Sequence, residues 1–325
     1  MKIGVIGAGR WGRNIIRACA QLGVLESICD ANAPALAEMG REYPHAGLES
    51  EITALLARNI DAVVVAAPPA VHAELALAAI AAGKHVFVEK PLAMSVDDAA
   101  MVVRAARARE MTLFVGHVLL YHPGVQRMLG LIREGAIGEV RHLRSRRLSW
   151  GTLRANENVW WSFAPHDVAL ALEVFDEFPL TVAGATSAFV REHIADFAYA
   201  DLTFTRRRTA HIETSWLDPD KSSRLDVFGA TGVLRLIDSR EGASLTLTPC
   251  GQDYDEFGHA TLWREEERPV DFTPAEPLLA EVRAFVEAAA SGQRPLTDGE
   301  NGLRVVQVLS MFGVRNHRPS FEEIA

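Results

Sequence analysis

The chain begins with a short apolar strand that leads directly into three glycines at the spacing G-x-G-x-x-G. The predicted strand covers residues 2–6, the glycines are Gly7, Gly9 and Gly12, and residues 12–22 carry apolar side chains at helical spacing. A glycine turn between a strand and a helix lets backbone N–H groups at the helix N-terminus approach a phosphate. Glycines at this spacing are common, but their position between a strand and a helix predicts a dinucleotide-binding unit.

An acidic residue stands at the end of the next predicted strand, residues 25–29. Asp30 lies eighteen residues after Gly12, where it is placed to accept a hydrogen bond from the ribose 2′-hydroxyl of NAD. Its charge repels the additional phosphate of NADP, and residues 31–33 offer no arginine to bind that phosphate. We therefore expect NAD as the cofactor. The alternative is an aspartate that caps a helix in a fold that binds no nucleotide.

The first 120 residues alternate short buried strands with helical stretches. Continuous apolar strands separated by helices are typical of a parallel sheet covered on both faces. The fold class is therefore α/β, and residues 1–120 are predicted to form a doubly wound Rossmann domain that binds NAD. The predicted strands after the first two are 62–66, 85–88 and 112–115, and the predicted helices are 33–41, 48–58, 72–82 and 95–109.

The pattern changes after residue 120 to alternating strands with few helices. Residues 121–325 are predicted to form an α+β domain with a large, mostly antiparallel open sheet. Residues 253–271 are acidic and are expected to be irregular. The predicted strands are 140–148, 182–190, 197–205, 209–217, 224–228, 233–238 and 244–248, and the predicted helices are 124–134, 165–174, 277–290 and 300–314.

Composition excludes several classes of function. The net charge is −9 and no block of basic residues is present, which argues against nucleic-acid binding. The longest apolar stretch, residues 62–82, is interrupted by prolines and charged residues, so no membrane span is expected. Strand-forming residues begin at position 2, so no signal peptide is expected. Three cysteines without metal-ligand spacing fit a reducing cytoplasm and indicate no metal site.

Lys90 is one of only four lysines in the chain and directly follows the apolar run 85–88. This position is the carboxyl end of a parallel strand, where open α/β sheets bind ligands. An ammonium beside a nicotinamide and a sugar hydroxyl is partly desolvated, which shifts its pKa toward the working range. Lys90 is therefore a candidate catalytic residue. The alternative is a lysine on a surface loop.

These motifs together resemble the Gfo/Idh/MocA family of sugar and inositol oxidoreductases. The resemblance extends over essentially the whole chain and rests on the glycine motif, on Ala67-Pro68 with His72, and above all on Glu89-Lys90-Pro91. It implies that Lys90 lies beside the nicotinamide and that a histidine of the second domain completes an acid/base pair. The residues expected to contact NAD are Gly7, Gly9, Arg10, Trp11, Gly12, Asp30, Ala67, Pro68, His72, Glu89, Lys90 and Trp161.

The family's histidine position corresponds to His166. Pro165 is expected near the start of a helix, which would put His166 in the first turn. A neutral imidazole there can take the proton from a hydroxyl, tuned by Asp167 or Lys90. Many family members carry an aspartate four residues earlier, where this chain has Ser162, so the expected pair is Lys90 with His166. The alternative for His166 is a capping role.

Two longer strings, residues 116–123 and 158–167, resemble the branch of the family that acts on UDP-N-acetyl-hexosamines. Members of that branch oxidise a 3-hydroxyl to a ketone that an aminotransferase converts to a 3-amino sugar. One subgroup uses UDP-N-acetylglucosamine for lipid A, and another uses the corresponding uronic acid for O-antigen. A non-catalytic NAD-dependent sensor is the alternative from another class, and the presence of both Lys90 and His166 argues against it.

Five arginines lie within fourteen residues: Arg141, Arg144, Arg146, Arg147 and Arg154. Forked guanidinium donors suit a diphosphate, although they suit the carboxylate of a uronic acid equally well. The alternative is the solvated edge of a strand. The family resemblance implies that residues 121–325 form a domain for substrate binding and oligomerisation, and that the protein is a dimer or tetramer. The residues expected to contact substrate are Lys90, Tyr121, Arg146, Arg154, Ser162, His166 and Asp167.

Overall fold

A computed structural model describes residues 1–151, 153–154, 157–239 and 242–312. The chain divides into two compact units. The first contains residues 1–122 and 275–307, and the second contains, among the described residues, those between 123 and 274 and residues 308–312. Within the described ranges, no helix combines the length and the apolar character needed to cross a membrane.

The secondary structure alternates strands and helices as far as residue 133 and is dominated by strands from there to residue 270. The first elements are β1 (Ile3–Ile6), α1 (Arg10–Gln21), β2 (Leu25–Cys29), α2 (Ala33–Glu42), β3 (Gly47–Glu49), α3 (Ile52–Leu56), β4 (Ala62–Val65), α4 (His72–Ala81), β5 (His85–Glu89), α5 (Val96–Ala108), β6 (Leu113–Gly116) and α6 (Pro123–Arg133). They are followed by β7 (Val140–Trp150), α7 (Val159–Phe175), β8 (Thr181–Ser187), β9 (Phe197–Thr203), β10 (Thr209–Ser215), β11 (Leu217–Gly229), β12 (Gly232–Ser239), β13 (Gly242–Tyr254), β14 (Ala260–Arg264), β15 (Arg268–Val270), α8 (Pro277–Ser291) and α9 (Gly299–Met311).

The first unit is built on a sheet of six parallel strands in the order β3-β2-β1-β4-β5-β6. All residues of β1, β4 and β6 are buried, as expected for strands covered on both faces. The strand order reverses beside β1, so the carboxyl ends of β1 and β4 border the crevice in which doubly wound sheets bind ligands. The predicted Rossmann architecture is confirmed.

The helix α8 belongs to the first unit, which corrects the predicted domain boundary. We expected every residue after 120 to lie in a second domain, but residues 275–307 return to the first unit. The reason is the apolar stripe of α8, whose Phe285 ring lies 5.7 Å from the ring of Phe87 and 5.6 Å from that of Phe114. Leu278 and Val282 join the same buried cluster. The place of α8 in the first unit thus follows from contacts between residues that are far apart in the sequence.

The second unit contains a nine-stranded sheet in the order β14-β13-β12-β11-β7-β10-β9-β8, with β15 paired to β13. The pair β10–β7 is parallel and the other pairs are antiparallel. The mostly antiparallel sheet is therefore confirmed, and β11 and β12 form a hairpin that turns at residues 229–232. The stretch 253–271 was wrongly expected to be irregular, because it contains β14 and β15.

The helix α7 packs on β7, β9 and β10 and begins earlier than predicted. Asn158 caps it, with the side-chain oxygen accepting the Trp161 N–H at 3.1 Å. Pro165, expected at the start of the helix, lies inside it, where it removes one backbone hydrogen bond. His166 and Asp167 therefore lie in the middle of α7, and the predicted first-turn position of both is wrong.

Candidate active site

The glycine turn after β1 is closed on its protein side and open on the other. Gly7 has φ +102°, and a Cβ there would lie 2.5 Å from the carbonyl oxygen of Ala66. A Cβ on Gly12 would lie 2.0 Å from the oxygen of Gly7, whereas one on Gly9 would meet nothing within 4 Å. Gly9 is also the N-cap of α1 and provides no side-chain acceptor. This cradle fits a pyrophosphate bound at the N-terminus of α1.

The carboxylate of Asp30 ties the glycine turn to the end of β2. Its Oδ2 accepts the N–H of Ala8 at 2.6 Å, and its Oδ1 accepts the N–H of Asn32 at 2.7 Å. Each oxygen keeps a second lone pair, so the carboxylate fits a ribose hydroxyl as an additional donor. The cap of α2 is Asn32, which accepts the N–H of Ala35 at 3.0 Å. The alternative role of Asp30 as the helix cap is therefore wrong.

We expect Asp30→Ala to raise the dissociation constant of NAD about tenfold or more, because a hydrogen bond to a charged group contributes about 1.5–3 kcal/mol. The same change removes the charge that repels the additional phosphate of NADP, so the preference for NAD should fall. Dissociation constants of NADH and NADPH from fluorescence titration measure both effects. Asp30→Asn is the matched control, since it keeps an acceptor and loses only the charge. An unchanged NADH-to-NADPH ratio in both variants would contradict the assignment.

Glu89 connects the end of β5 to the glycine turn. Its side chain is buried, and its Oε1 accepts the indole N–H of Trp11 at 2.6 Å. Gly116 is its partner across the sheet, and a Cβ there would lie 3.0 Å from Glu89 Oε1, so a side chain at this position would crowd the carboxyl group. Glu89 therefore acts as a buried acceptor that aligns the residue after it. That residue is Lys90, which is half-buried.

His117 follows the end of β6 and is fully buried. Burial, and then the charge of Lys90, lower the pKa of His117 to about 3. The imidazole is therefore neutral at physiological pH. Lys90 is thus the cation that acts on both His117 and Glu89 at the carboxyl ends of β5 and β6. The position of Lys90 therefore suits an interaction with a polar reactant at this edge of the sheet.

His72 was expected to contact the cofactor, but the structure places it below the surface. It is 1% exposed, its Nδ1 lies 2.8 Å from the carbonyl oxygen of Pro91, and its Nε2 lies 2.8 Å from that of Ala67. A neutral imidazole donates from one nitrogen only, so both contacts are hydrogen bonds only when His72 is protonated. Its role is to join the loop after β4 to the segment after Lys90. Pro68 of that loop is exposed and remains a predicted cofactor contact.

In the second unit, Asp167 is bound by protein groups alone. It is fully buried, and its carboxylate accepts the Ser145 hydroxyl at 2.6 Å and two guanidinium N–H groups of Arg147 at 2.8 and 2.9 Å. This corrects its predicted role as a substrate contact. His166, the preceding residue, is half-buried, whereas Ser162, one turn earlier, is buried. His166 is therefore the candidate on α7 with access to solvent.

The two arginines predicted to bind substrate are held by carboxylates. Ser145 and Arg147 face α7, so alternation along β7 directs Arg146 to the opposite face of the sheet. There it pairs with Glu213 at 3.0 Å. The structure therefore does not bring Arg146 to the side of the sheet that carries His166. Arg154 pairs with Glu157.

Tyr121 was also predicted to contact substrate, but it packs within the first unit. Its hydroxyl lies 3.1 Å from Oγ1 of Thr297, and its ring stacks on Phe114 at 5.7 Å. Burial raises the pKa of the phenol. Tyr121 is thus held beside the ends of β5 and β6, where it is half-buried, and it remains a predicted substrate contact.

The sequence did not indicate two of these roles. Arg147 is half-buried and was named only within the arginine cluster, not as the partner of Asp167. Glu281, which is fully buried on the stripe of α8 formed by Leu278 and Phe285, was not selected at all. The sequence does contain a signal for Glu281. It lies three positions after Leu278 and four positions before Phe285, so the three side chains share one face of the helix.

Two family models match the chain. One, described as an oxidoreductase family with an NAD-binding Rossmann fold, matches residues 1–117, and the Gfo/Idh/MocA C-terminal domain matches residues 125–235. The first match confirms the expected NAD-binding Rossmann domain.

Similar proteins of known activity include sugar and inositol dehydrogenases. UDP-N-acetylglucosamine 3-dehydrogenase of Acidithiobacillus ferrooxidans is 28% identical over 94% of both chains. Its solved structure superimposes with a TM-score of 0.84 at 26% identity over 96% of both chains. Myo-inositol 2-dehydrogenase of Thermotoga maritima is 26% identical over 93% of this chain and 92% of its own. The chain belongs to the Gfo/Idh/MocA family and is an oxidoreductase of that family.

Proposed function

We propose that this protein oxidises the 3-hydroxyl of UDP-N-acetylglucosamine to the corresponding 3-keto sugar with NAD. The observation that carries the choice of substrate is the similarity to UDP-N-acetylglucosamine 3-dehydrogenase, which extends over 94% of both chains. It therefore includes the substrate domain as well as the cofactor domain. Geometry supports the reaction class through the open glycine cradle and through Lys90 at the carboxyl end of β5.

Lys90 and His166 are the proposed catalytic pair. NAD, when bound, supplies the hydride acceptor. Gly7, Gly9 and Gly12 would hold its pyrophosphate and Asp30 its ribose, while Arg10, Trp11, Ala67 and Trp161 remain predicted cofactor contacts. His166, assisted by the ammonium of Lys90, removes the proton of the sugar hydroxyl as the carbonyl forms. A base that accepts the proton and a cation suit this step because negative charge develops on the oxygen.

The product is a ketone on a nucleotide sugar, and an aminotransferase would convert it to a 3-amino sugar. We propose that this reaction precedes the amination step of lipid A synthesis. We propose a cytoplasmic enzyme that forms a dimer or tetramer, with the aminotransferase as a functional partner. No contact with nucleic acid or with a membrane is proposed.

The corresponding uronic acid is less well supported than the neutral sugar. A uronate needs a cation for its C6 carboxylate, but the arginines on β7 and after it already have protein partners. Arg144 pairs with Asp226, Arg146 with Glu213 and Arg147 with Asp167. Inositol is the second candidate substrate, because the similarity to myo-inositol 2-dehydrogenase also extends over 93% of the chain.

Parallel assays separate these substrates. The enzyme is incubated with NAD and with UDP-N-acetylglucosamine, its uronic acid or myo-inositol, and NADH absorbance is followed. The two sugar reactions are also run with a 3-aminotransferase and an amino donor, which draw the equilibrium toward product. We expect NADH to form with UDP-N-acetylglucosamine. A signal with myo-inositol alone or with the uronate alone would replace the proposed substrate, and NAD binding without turnover on any of the three would support a sensor.

A further inference from the structure

Two carboxyl groups are buried together in the first unit, at the place where α8 meets the ends of β5 and β6. Glu281 is fully buried and Glu89 is 6% exposed. Phe285 of α8 packs on Phe87 and Phe114 of these strands. Glu89 follows Phe87 by two residues on the same face of β5, and Glu281 precedes Phe285 by one helical turn. The ring contacts therefore bring the two carboxyl groups into the same buried region, where the charge of Glu89 acts on Glu281.

The hydrogen-bond donors around this pair are distributed unequally. Glu89 accepts the indole N–H of Trp11 at 2.6 Å and its Oε2 accepts the N–H of Lys90 at 3.3 Å. Neither carboxyl oxygen of Glu281 has a hydrogen-bond partner within the described part of the chain. A buried carboxylate without donors is strongly disfavoured and takes up a proton instead. Of the two, only Glu89 is therefore supported as an anion.

The surrounding titratable groups leave this assignment in place. Burial raises the pKa of Glu89 to about 7, while the hydrogen bond from Trp11 and the charge of Lys90 lower it and favour the anion. His117, at the end of β6, is neutral. Burial raises the pKa of Tyr121, which follows β6, and the charges of Glu281 and Asp298 also raise it. The phenol therefore keeps its proton. On α1, Arg17 is paired with Glu276 at the start of α8. Burial, and then the charge of Glu89, raise the pKa of Glu281 well above its ordinary value.

We propose that Glu281 is the protonated member of a carboxyl pair that holds one negative charge, on Glu89, beside the ammonium of Lys90. Glu281 is thus a positioning residue: its proton keeps a second negative charge away from the end of β5, so that Glu89 and Lys90 remain a balanced pair. The effect on catalysis rests on the proposed function of Lys90. The protonation state of the Glu89–Glu281 pair does not depend on that function, and it can be tested without a substrate.

The first test is the pH dependence of stability in the full-length protein. Above the ordinary glutamate pKa of about 4.3, the unfolded chain loses this proton while the folded chain keeps it. The folded state then binds more protons, so stability falls as pH rises toward the folded pKa. In Glu281→Gln this dependence is absent. The unfolding constant of the wild type relative to the variant should therefore rise about tenfold per pH unit above about pH 5.

The matched control is Glu287→Gln, on the exposed side of the same helix, which should keep the wild-type dependence. If the free energy of unfolding depended on pH in the same way in the wild type and in Glu281→Gln, the proposal would be overturned. Infrared spectroscopy provides a second measurement. At neutral pH the wild type should show the carbonyl band of a protonated carboxylic acid, which Glu287→Gln keeps and Glu281→Gln loses. A wild-type spectrum without this band overturns the proposal even if Glu281→Gln fails to fold.

The positioning role is tested by the pH profile of kcat/KM with whichever substrate gives turnover. Ionisation of Glu281 adds a charge beside Lys90, so the alkaline limb of the profile should shift in Glu281→Gln and stay in place in Glu287→Gln. An unshifted limb overturns the positioning role. If the wild type turns over none of the proposed substrates, the proposed function fails, whereas the stability and infrared results still decide the state of the carboxyl pair.

Discussion

Replacement of Lys90 by alanine is expected to lower kcat by a factor of about 10²–10⁴, the usual contribution of a group that takes part in proton transfer. The dissociation constant of NAD should change far less, because the glycine cradle and Asp30 are provided by other segments of the first unit. Steady-state kinetics with UDP-N-acetylglucosamine and fluorescence titration with NADH measure the two effects separately. Lys90 thus affects the chemical step rather than cofactor affinity.

Two further variants show whether the ammonium itself is needed. Lys90→Arg keeps the positive charge but cannot give up a proton at accessible pH, so it should remain slow if proton transfer matters and recover if charge alone suffices. Lys221→Ala removes an exposed lysine of the second unit and should leave kcat unchanged. A near-native kcat in Lys90→Ala would remove this residue from the proposed mechanism.

The first half of the fold could be predicted because its signals are local. A buried parallel strand is a continuous apolar run, and a glycine turn needs three residues that lack a Cβ at fixed positions. The clash that a Cβ would make at Gly12 is with the oxygen of Gly7, within the turn itself. The same is true of Lys90, whose place at a strand end follows from the run before it.

The remaining features depend on contacts between distant parts of the sequence. The cap at Asn158 is a local signal, but a proline is also typical of the first turn of a helix. The prediction based on Pro165 therefore placed the start of α7 too late. The partner of Asp167 is on β7, twenty residues earlier, and nothing between them marks the pair. The burial of Glu281 likewise depends on α8 returning to the first unit. Alternation on β7 did separate Arg146 from Arg147, but the covered face was known only from the structure.

Asp167→Ala is expected to destabilise the second unit by about 3–5 kcal/mol, because it leaves the guanidinium of Arg147 without the carboxylate that compensates its burial. Ser145 loses its acceptor in the same change. The double variant Asp167→Leu with Arg147→Met should recover most of the loss, since an apolar pair of similar volume avoids the buried charge. Denaturant unfolding followed by circular dichroism provides the measurement.

Asp176→Asn is the matched control for this prediction, because Asp176 is exposed at the C-terminal end of the same helix and has φ 47°, a conformation that asparagine tolerates. Its effect should remain within about 0.5 kcal/mol. If Asp167 were a substrate contact, Asp167→Ala would raise KM and leave stability near that of the wild type. We expect the opposite: Asp167→Ala should lose much of its stability, and the double variant Asp167→Leu with Arg147→Met should recover most of that loss, as expected for a carboxylate that holds β7 against α7.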